Sequence, residues 1–300
     1  MKRLTGVAQH GWTDILHPEI AVSRFDHTIG TGLLTRLLGG SPEEQAAAFI
    51  HDISHTAFSH ASDYLYPPEE GGSFHEKELP AFFKLHALSS GTRPPGCPWT
   101  YSRLTDDSRY SILEQPAPAL CADRLDYLFR DALILGLIIS SDVKSFLNNL
   151  VVYDGKIVCT DLQTAEHLSI LYNEADILLW SKTEYLGYNA FGAYLVKKCL
   201  HESILSVSDL WKTDLFIIEK MKETKANGVN EGLKKLLGKP DFEINESEAD
   251  VIIKSRRRYI DPLIFNADDL VLSSTLTGVC RNIRKSVESY GTIMYPLKLV

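Results

Sequence analysis

Apolar residues between positions 24 and 38 recur every three or four residues, which is the spacing of one face of an α-helix. The pattern ends at the glycine pair 39–40, where a helix is expected to stop. The residues S-P-E-E at 41–44 then form the capping pattern of a new helix, because serine can cap a first turn and proline suits its first position. We place the motif H-D-I-S-H, residues 51–55, near the carboxyl end of this second helix.

Segments rich in Pro, Gly and Ser at 66–74 and 89–100 predict loops on either side of a short helix. The segment 219–240 is polar and rich in Lys, and no element is predicted for it. The helical spacing of apolar residues predicts further helices at about 75–86, 120–139, 162–179 and 185–201.

The segment 150–160 alternates in polarity and turns at Asp154-Gly155, the strongest hairpin signal in the chain. The run 251–265 predicts a strand that is stopped by Pro262. We therefore expect a mainly α protein, in which a helical bundle with a β-hairpin occupies residues 1–200. A small α+β region is expected to follow over residues 201–300.

The charge of the chain narrows the class of partner. Its formal net charge is −8 at pH 7, and its isoelectric point is near 5.7. Broad nucleic-acid binding depends on many Lys and Arg residues that neutralise phosphates, so a nucleic acid is not the expected partner. A local positive pocket can still bind a small phosphorylated molecule.

The amino-terminal residues contain no apolar signal segment, and the most apolar stretch, 128–139, is interrupted by Arg130 and Asp131. The five cysteines lie far apart and form no C-x-x-C pair, so neither a zinc knuckle nor a disulfide framework is indicated. We therefore expect a cytoplasmic protein with reduced thiols and no membrane association.

The motif H-D-I-S-H-T-A-F-S-H at 51–60 carries the candidate chemistry. On a helix, His51 and Asp52 can converge on one ion while His55 points at whatever the ion binds. His27 and Asp123 come from two other predicted helices and complete a mixed nitrogen and oxygen donor set. Each of these residues alone could instead cap a helix or pack in the core, but burying all of them without a metal would be costly.

Four motifs together resemble those of the HD-domain phosphohydrolases, in particular the deoxynucleotide triphosphohydrolase branch. The similarity extends from the first residues to about position 200 and includes the hairpin. The motifs are R-F-D-H-T-I-G (24–30), H-D-I-S-H-T-A-F-S-H (51–60), F-H-E (74–76) and A-D-R-L-D-Y-L-F-R-D-A (122–132). The resemblance implies an HD-domain bundle and one divalent ion, with Mn, Fe, Ni, Co, Zn and Mg all open, bound by His27, His51, Asp52 and Asp123.

The resemblance also implies the residues that surround the substrate. A histidine titrates near neutral pH and is a natural proton donor to the leaving oxygen, so we expect His75, or else His55, in that role. The other implied contacts are Arg24, His60, Arg124 and Tyr127 to the phosphates, and Gln9 and Asp131 to the sugar.

The chain departs from the resemblance at three places. His10 follows Gln9 where the triphosphohydrolases usually have Leu, so selectivity against a ribose hydroxyl is not implied. The segment 179–189 offers Lys182 but lacks the Arg and His that reach a triphosphate in the family, which favours fewer phosphates. For the cluster K-S-R-R-R at 254–258, a charged edge strand is favoured over an allosteric phosphate site.

The leading hypothesis is a metal-dependent phosphohydrolase acting on a nucleotide or similar small phosphorylated molecule, with (deoxy)nucleoside triphosphates among the candidates. The reaction would be attack of metal-activated water on phosphorus. The alternatives are a phosphodiesterase or nucleoside monophosphatase, and a non-catalytic protein that senses nucleotides. A nonspecific nuclease is disfavoured by the acidic charge. The family suggests a homodimer, and nucleotide-controlled tetramer assembly is not expected for a chain whose similarity begins almost at Arg3.

Overall fold

A computed structural model describes residues 1–65, 74–86, 88, 91–225, 228–267 and 269–300 of the 300-residue chain. Most of these residues are helical, so the predicted mainly α class is confirmed. The strands are short and form two small sheets. Among the described residues, no helix combines the length and the apolar composition needed to cross a lipid bilayer.

Two of the helices in the first half of the chain start after a serine that caps them. Ser23 accepts a hydrogen bond from the amide of Asp26, and Ser41 accepts one from the amide of Glu44, so a helix starts after each serine. The helices are α1 (Trp12–Leu16), α2 (Arg24–Leu37), α3 (Pro42–Ala48), α4 (Phe74–Lys77), α5 (Leu79–Leu85), α6 (Tyr101–Leu104), α7 (Ala122–Ile134) and α8 (Ser140–Asn148).

The second half of the chain is also largely helical, including part of the Lys-rich segment 219–240. Asp161 caps the first of its helices by accepting a hydrogen bond from the amide of Thr164. The helices are α9 (Leu162–Ala175), α10 (Thr183–His201), α11 (Asp214–Glu223), α12 (Val229–Leu237), α13 (Ser273–Leu276) and α14 (Gly278–Tyr290).

The strands lie in two sheets. One has the order β1-β2-β5-β6, in which β1 and β2 pair antiparallel across Asp154-Gly155 and β2 pairs with β5 in parallel. The other is antiparallel, with the order β3-β7-β4. The strands are β1 (Leu150–Tyr153), β2 (Lys156–Cys159), β3 (Phe242–Ile244), β4 (Val251–Arg256), β5 (Leu263–Asn266), β6 (Asp269–Leu272) and β7 (Thr292–Leu299).

The predicted position of the motif 51–55 on a helix is wrong. Helix α3 ends at Ala48, and residues 51–54 form turns. The Nδ1 atom of His51 lies 2.7 Å from the carbonyl oxygen of Ala48. In a continuing helix this carbonyl would accept the amide of Asp52, so the imidazole takes the acceptor that a further helical turn needs.

Two other predicted elements are shorter in the structure. The helix expected over 120–139 ends at Ile134, because Gly136 adopts a positive φ of 69° and the chain turns into α8. The strand expected over 251–265 is divided between β4 and β5, which belong to different sheets. Pro262 precedes β5 and does not end a continuous strand.

Helix α7 lies at the centre of one hydrophobic cluster, where Leu125 and Leu128 are buried among residues of α9 and the β1–β2 hairpin. Helix α10 occupies a second cluster with Trp12, α11 and α12. Helix α12 packs on α10 and α14 packs on α9. The region after residue 200 is therefore built onto the helices and the hairpin that precede it.

Helices α2 and α7 approach each other closely at Gly30. A Cβ atom at this position would lie 1.9 Å from Asp126 Oδ1 and 2.3 Å from Arg130 Nη2. Asp126 is held by contacts with His27 and Arg130, so it cannot swing away without losing both. The absence of a side chain at residue 30 sets the spacing of the two helices.

We predict that Gly30→Ala lowers the free energy of unfolding by about 1–3 kcal/mol, because the added methyl group overpacks the α2–α7 contact. Equilibrium denaturation in urea measures this loss. Gly278→Ala is the matched control, since a Cβ there meets no atom within 4 Å. If both variants unfold like the wild type, the close approach of α2 and α7 does not exist.

Candidate metal centre and cavity

The structure brings together the four side chains expected to bind a metal. Nε2 of His27, on α2, lies 2.8 Å from Oδ1 of Asp123, on α7, and 3.7 Å from Oδ2 of Asp52. Nε2 of His51 lies 3.5 Å from Oδ1 of Asp52 and 3.5 Å from Oδ1 of Asp123. Two helices and the turn after α3 thus supply one compact group of two imidazoles and two carboxylates.

The donor atoms of this group fit a divalent cation. Potential ligand atoms of His27, His51 and Asp123 all lie within 4.8 Å of one another. Ligands about 2.0–2.3 Å from a common ion have mutual distances in that range. Nε2 of His51 is also buried and makes no hydrogen bond with the described residues, although it faces two carboxylates. A cation between them would satisfy this nitrogen.

The charges within the group oppose the effect of burial. Burial by itself lowers the pKa of a histidine, but hydrogen bonds to Asp123 and Asp126 raise the pKa of His27 to about 9. The carboxylates of Asp52 and Asp123 likewise outweigh burial and raise the pKa of His51 to about 10. A metal ion that takes these nitrogens as ligands therefore displaces protons from them.

Asp52 is ionised in this setting. Burial disfavours its charged form, but the positive charges of Arg24 and His51 outweigh burial and hold its pKa well below the usual value. Arg24 donates from Nη1 to Asp52 Oδ2 at 2.9 Å and from Nε to Ser59 Oγ at 2.8 Å. The structure thus places the predicted phosphate ligand Arg24 in a buried ion pair with a predicted metal ligand.

A carboxylate behind the ligands was missed by the sequence-based prediction. Oδ2 of Asp126 lies 2.8 Å from Nδ1 of His27 and accepts a hydrogen bond of 2.7 Å from Nε of Arg130. This contact orients the His27 ring so that Nε2 faces Asp123. The signal available in the sequence was the spacing of Asp126, one helical turn after Asp123.

Three histidines form a second group beside Asp52. The rings of His55 and His75 stack with centroids 3.6 Å apart, and His60 lies edge-on to both at 5.0 and 5.8 Å. Nε2 of His55 is 3.2 Å from Oδ1 of Asp52. Burial is the main cause that lowers the pKa of His55 well below its usual value and that of His75 to about 3. Both imidazoles are therefore uncharged at neutral pH in the absence of a bound anion.

A cavity of about 640 Å³ adjoins the histidine group at His60, and four of the predicted substrate residues line it. Oε1 of Gln9 is buried there and has no hydrogen-bond partner among the described residues. The sequence-based prediction missed the aromatic part of the wall, which comes from separate segments and has no common motif. The predicted lining residues are Gln9, His60, Arg124 and Tyr127, and the added aromatic residues include Tyr64, Tyr172 and Trp180.

Asp131, expected near the sugar, is buried and already paired within the protein. Its Oδ2 atom lies 3.1 Å from Nε2 of His10 and accepts a 2.7 Å hydrogen bond from Nε1 of Trp180. His10 also lies 2.8 Å from Asp14. Burial opposes protonation of His10, but the two aspartates outweigh burial and raise its pKa to about 10. His10, which stands where the triphosphohydrolases usually have Leu, is therefore a charged partner of Asp131.

Arg124, expected at the phosphates, uses much of its hydrogen-bonding capacity on the backbone. Its guanidinium donates to the carbonyl oxygens of Gln115 and Ala119 and to the sulfur of Cys121. These contacts tie the loop before α7 to the helix that carries Asp123. The Arg124 side chain therefore lines the cavity and also stabilises that loop.

Glu114, Cys121 and Asp123 form a second group with ligand atoms close enough to bind one metal. However, Nη1 of Arg124 lies 3.1 Å from the Cys121 sulfur, and Nη2 lies 3.6 Å from Glu114. A positive charge already occupies this side of Asp123, so the group containing His27 and His51 is the better cation site.

Comparisons with known sequences relate the chain to HD-domain proteins. The model of the HD domain family matches residues 24–131. The uncharacterized protein YdhJ of Bacillus subtilis (strain 168) is 33% identical over 303 residues, which cover 96% of this chain and 87% of YdhJ. The metal-dependent phosphohydrolase cns2 of Cordyceps militaris is 32% identical over 192 residues, which cover 62% of this chain and 55% of cns2.

Solved structures show the same fold at low sequence identity. A hypothetical protein from Aquifex aeolicus has a TM-score of 0.69 and 19% identity, with 100% of this chain and 89% of that protein covered. A phosphohydrolase from Bacteroides thetaiotaomicron has a TM-score of 0.66 and 15% identity, with 99% and 91% covered. The architecture is therefore shared over nearly the whole chain.

We predict that Asp126→Asn weakens the binding of a divalent metal about 10- to 100-fold, because His27 loses the carboxylate that orients its ring. Titration of the chelator-treated protein with Mn²⁺ measures the affinity. Asp241→Asn, at an exposed position, is the matched control and should bind like the wild type. Unchanged affinity in Asp126→Asn would remove Asp126 from the metal centre.

Proposed function

This chain belongs to the HD-domain metal-dependent phosphohydrolase superfamily, and we propose that its substrate is a nucleotide or a similar small phosphorylated molecule. The proposed reaction is hydrolysis of a phosphate ester or anhydride. The observation that carries the proposal is the convergence of His27, His51, Asp52 and Asp123. The neighbouring histidine group reaches a cavity of about 640 Å³ through His60, which lines it. A cavity of this size is typical of sites for small molecules.

His27, His51, Asp52 and Asp123 are the residues that would hold the metal. A divalent ion bound by them would polarise the phosphoryl oxygens and lower the pKa of water to near neutrality. The protein's own contribution is to hold the four donors in place. Asp126 orients His27, the Ala48 carbonyl orients His51, and the ion pair with Arg24 orients Asp52.

His75 and His55 are proposed to handle the proton that the leaving oxygen needs. His55 is buried and His75 is half-buried, and both imidazoles are uncharged at neutral pH without an anion nearby. A negatively charged phosphoryl group would favour their protonated form, so substrate binding itself would charge the proton donor. His75 is the preferred donor, because His55 already lies 3.2 Å from the carboxylate of Asp52.

The cavity wall supports a substrate with an aromatic base. Tyr127, Tyr172 and Trp180 contact each other edge to face or tilted, with ring centroids 4.8–6.2 Å apart. Aromatic rings of this kind offer an apolar surface against which a base can pack. The unpaired Oε1 of Gln9 would accept a hydrogen bond from a sugar hydroxyl. We therefore favour a nucleotide over a simple phosphate ester.

A phosphodiesterase or nucleoside monophosphatase remains the second candidate. It is favoured by the engagement of Arg24 and Arg124 with protein groups, which leaves fewer cations for a triphosphate. A nucleotide sensor without catalysis is the third candidate, and it is disfavoured because all four ligand side chains converge.

We expect phosphate release from at least one nucleotide when the purified protein is incubated with Mn²⁺. The panel contains ribo- and deoxyribonucleoside mono-, di- and triphosphates, together with a phosphodiester. Asp52→Ala should abolish release, because the variant loses one carboxylate of the donor set. If the wild type binds Mn²⁺ but releases phosphate from none of these compounds, the enzymatic function is contradicted and the sensor is favoured.

We predict that His75→Gln lowers kcat by about 10²- to 10⁴-fold, the usual contribution of a general acid, and leaves Mn²⁺ affinity unchanged. Steady-state kinetics on the best substrate of the panel and metal titration measure the two quantities. His201→Gln, at an exposed position on α10, is the control. If His75→Gln keeps the kcat of the wild type, His75 is not the proton donor. His55 would then be tested next.

A further inference from the structure

The basic segment at the end of β4 borders the cavity. Residues Lys254–Tyr259 line it, although they follow the HD motif by about two hundred positions. Strand β4 is an edge strand, as its charges led us to expect, but it ends at Arg256. Inside the strand, Ile253 is buried against α10 and Ile252 is 65% exposed. Alternation along the strand therefore directs Lys254 and Arg256 to the exposed face.

Arg257 ties this segment to the end of α9. Its guanidinium forms an ion pair with Asp176, which is fully buried, and lies 3.3 Å from Oδ1 of Asn173. The guanidinium also lies over the ring of Tyr290, 5.7 Å from its centroid. These three contacts hold the chain in place directly before Arg258.

Arg258 differs from Arg24, Arg124 and Arg257 in its contacts. Arg24 is paired with Asp52, Arg124 with backbone carbonyls and Arg257 with Asp176. For Arg258, no hydrogen bond or ion pair is formed with the residues that the structure describes, and its side chain is accessible to solvent. The five N–H donors of this guanidinium are therefore available to a ligand.

The surroundings of Arg258 are suited to an anion. Tyr64, Tyr127 and Tyr172 line the cavity together with Arg258. The hydroxyls of Tyr127 and Tyr172 are 2.7 Å apart and bond to each other. Burial is the main cause that raises the pKa of Tyr64 to about 12, so its hydroxyl keeps a proton that it can donate. Asp176, a carboxylate that acts on Arg258, is already paired with Arg257.

We propose that Arg258 binds a phosphate group of the substrate inside the cavity, so that the carboxyl-terminal region completes the substrate site. A guanidinium binds phosphate oxygens through two parallel hydrogen bonds, which gives both affinity and orientation. The inference rests on the proposed function, because only that function makes the bound phosphate part of a substrate. It adds a specificity residue that lies outside the segment matched by the HD domain family.

The test is isothermal titration of the full chain with pyrophosphate, AMP and adenosine, in the presence of a chelator so that neither metal binding nor turnover contributes. Arg258→Gln should weaken pyrophosphate and AMP binding about tenfold or more, since hydrogen bonds to charged groups are typically worth at least that factor. Adenosine binding should not change. Arg258→Lys, which keeps the charge, should lie between the wild type and Arg258→Gln.

Arg36→Gln is the matched control, because Arg36 is exposed on α2 and does not line the cavity. Thermal unfolding of each variant checks that the fold is intact. Equal affinities of the wild type and Arg258→Gln, equal weakening by Arg36→Gln, or no anion binding by the wild type at millimolar concentration would each overturn the proposal. The titration measures binding and not turnover. An absence of phosphate release in the nucleotide panel would therefore refute the enzymatic function without altering the anion affinities measured here.

Discussion

The structure depends on a group of two histidines and several aspartates between α2, the turn after α3, and α7, of which His27, Asp52 and Asp126 are buried. Isolated charges in a protein interior are strongly unfavourable, so each must face a partner. His27 achieves this with Asp123 on one ring nitrogen and Asp126 on the other, both contributed by α7. The glycine at position 30 allows the two helices to approach closely enough for these contacts.

The same pairing decides which side chains can act on a ligand. Arg24 neutralises Asp52, His10 neutralises Asp131, and Arg124 is committed to the loop before α7. Charged residues that a family pattern assigns to the substrate are thus largely used to stabilise the site itself. The groups that we assign to the ligand are the uncharged imidazoles of His55 and His75, the amide of Gln9 and the guanidinium of Arg258. This arrangement explains how an acidic chain can present a local site for a phosphorylated molecule.

The helical period located the long helices well, since amphipathic spacing is a local property that survives tertiary packing. It failed where a side chain competes with the backbone, as at His51, whose imidazole takes the carbonyl of Ala48. It also failed at Gly136, where one residue with positive φ divides the predicted helix. The motif residues could be selected from the sequence because their types and order resemble a known family, and the structure brings the four proposed ligands together.

The sequence by itself determined the mainly α class, the superfamily and the set of candidate ligands, because these depend on periodicity and on short motifs within single segments. Only the tertiary structure decided which of those side chains are already paired, as for Arg24, Arg124 and Asp131. It also decided that a segment about two hundred residues from the HD motif borders the same cavity. The physical reason is that hydrogen bonds and ion pairs between distant segments depend on chain packing, which leaves no periodic signal in the sequence.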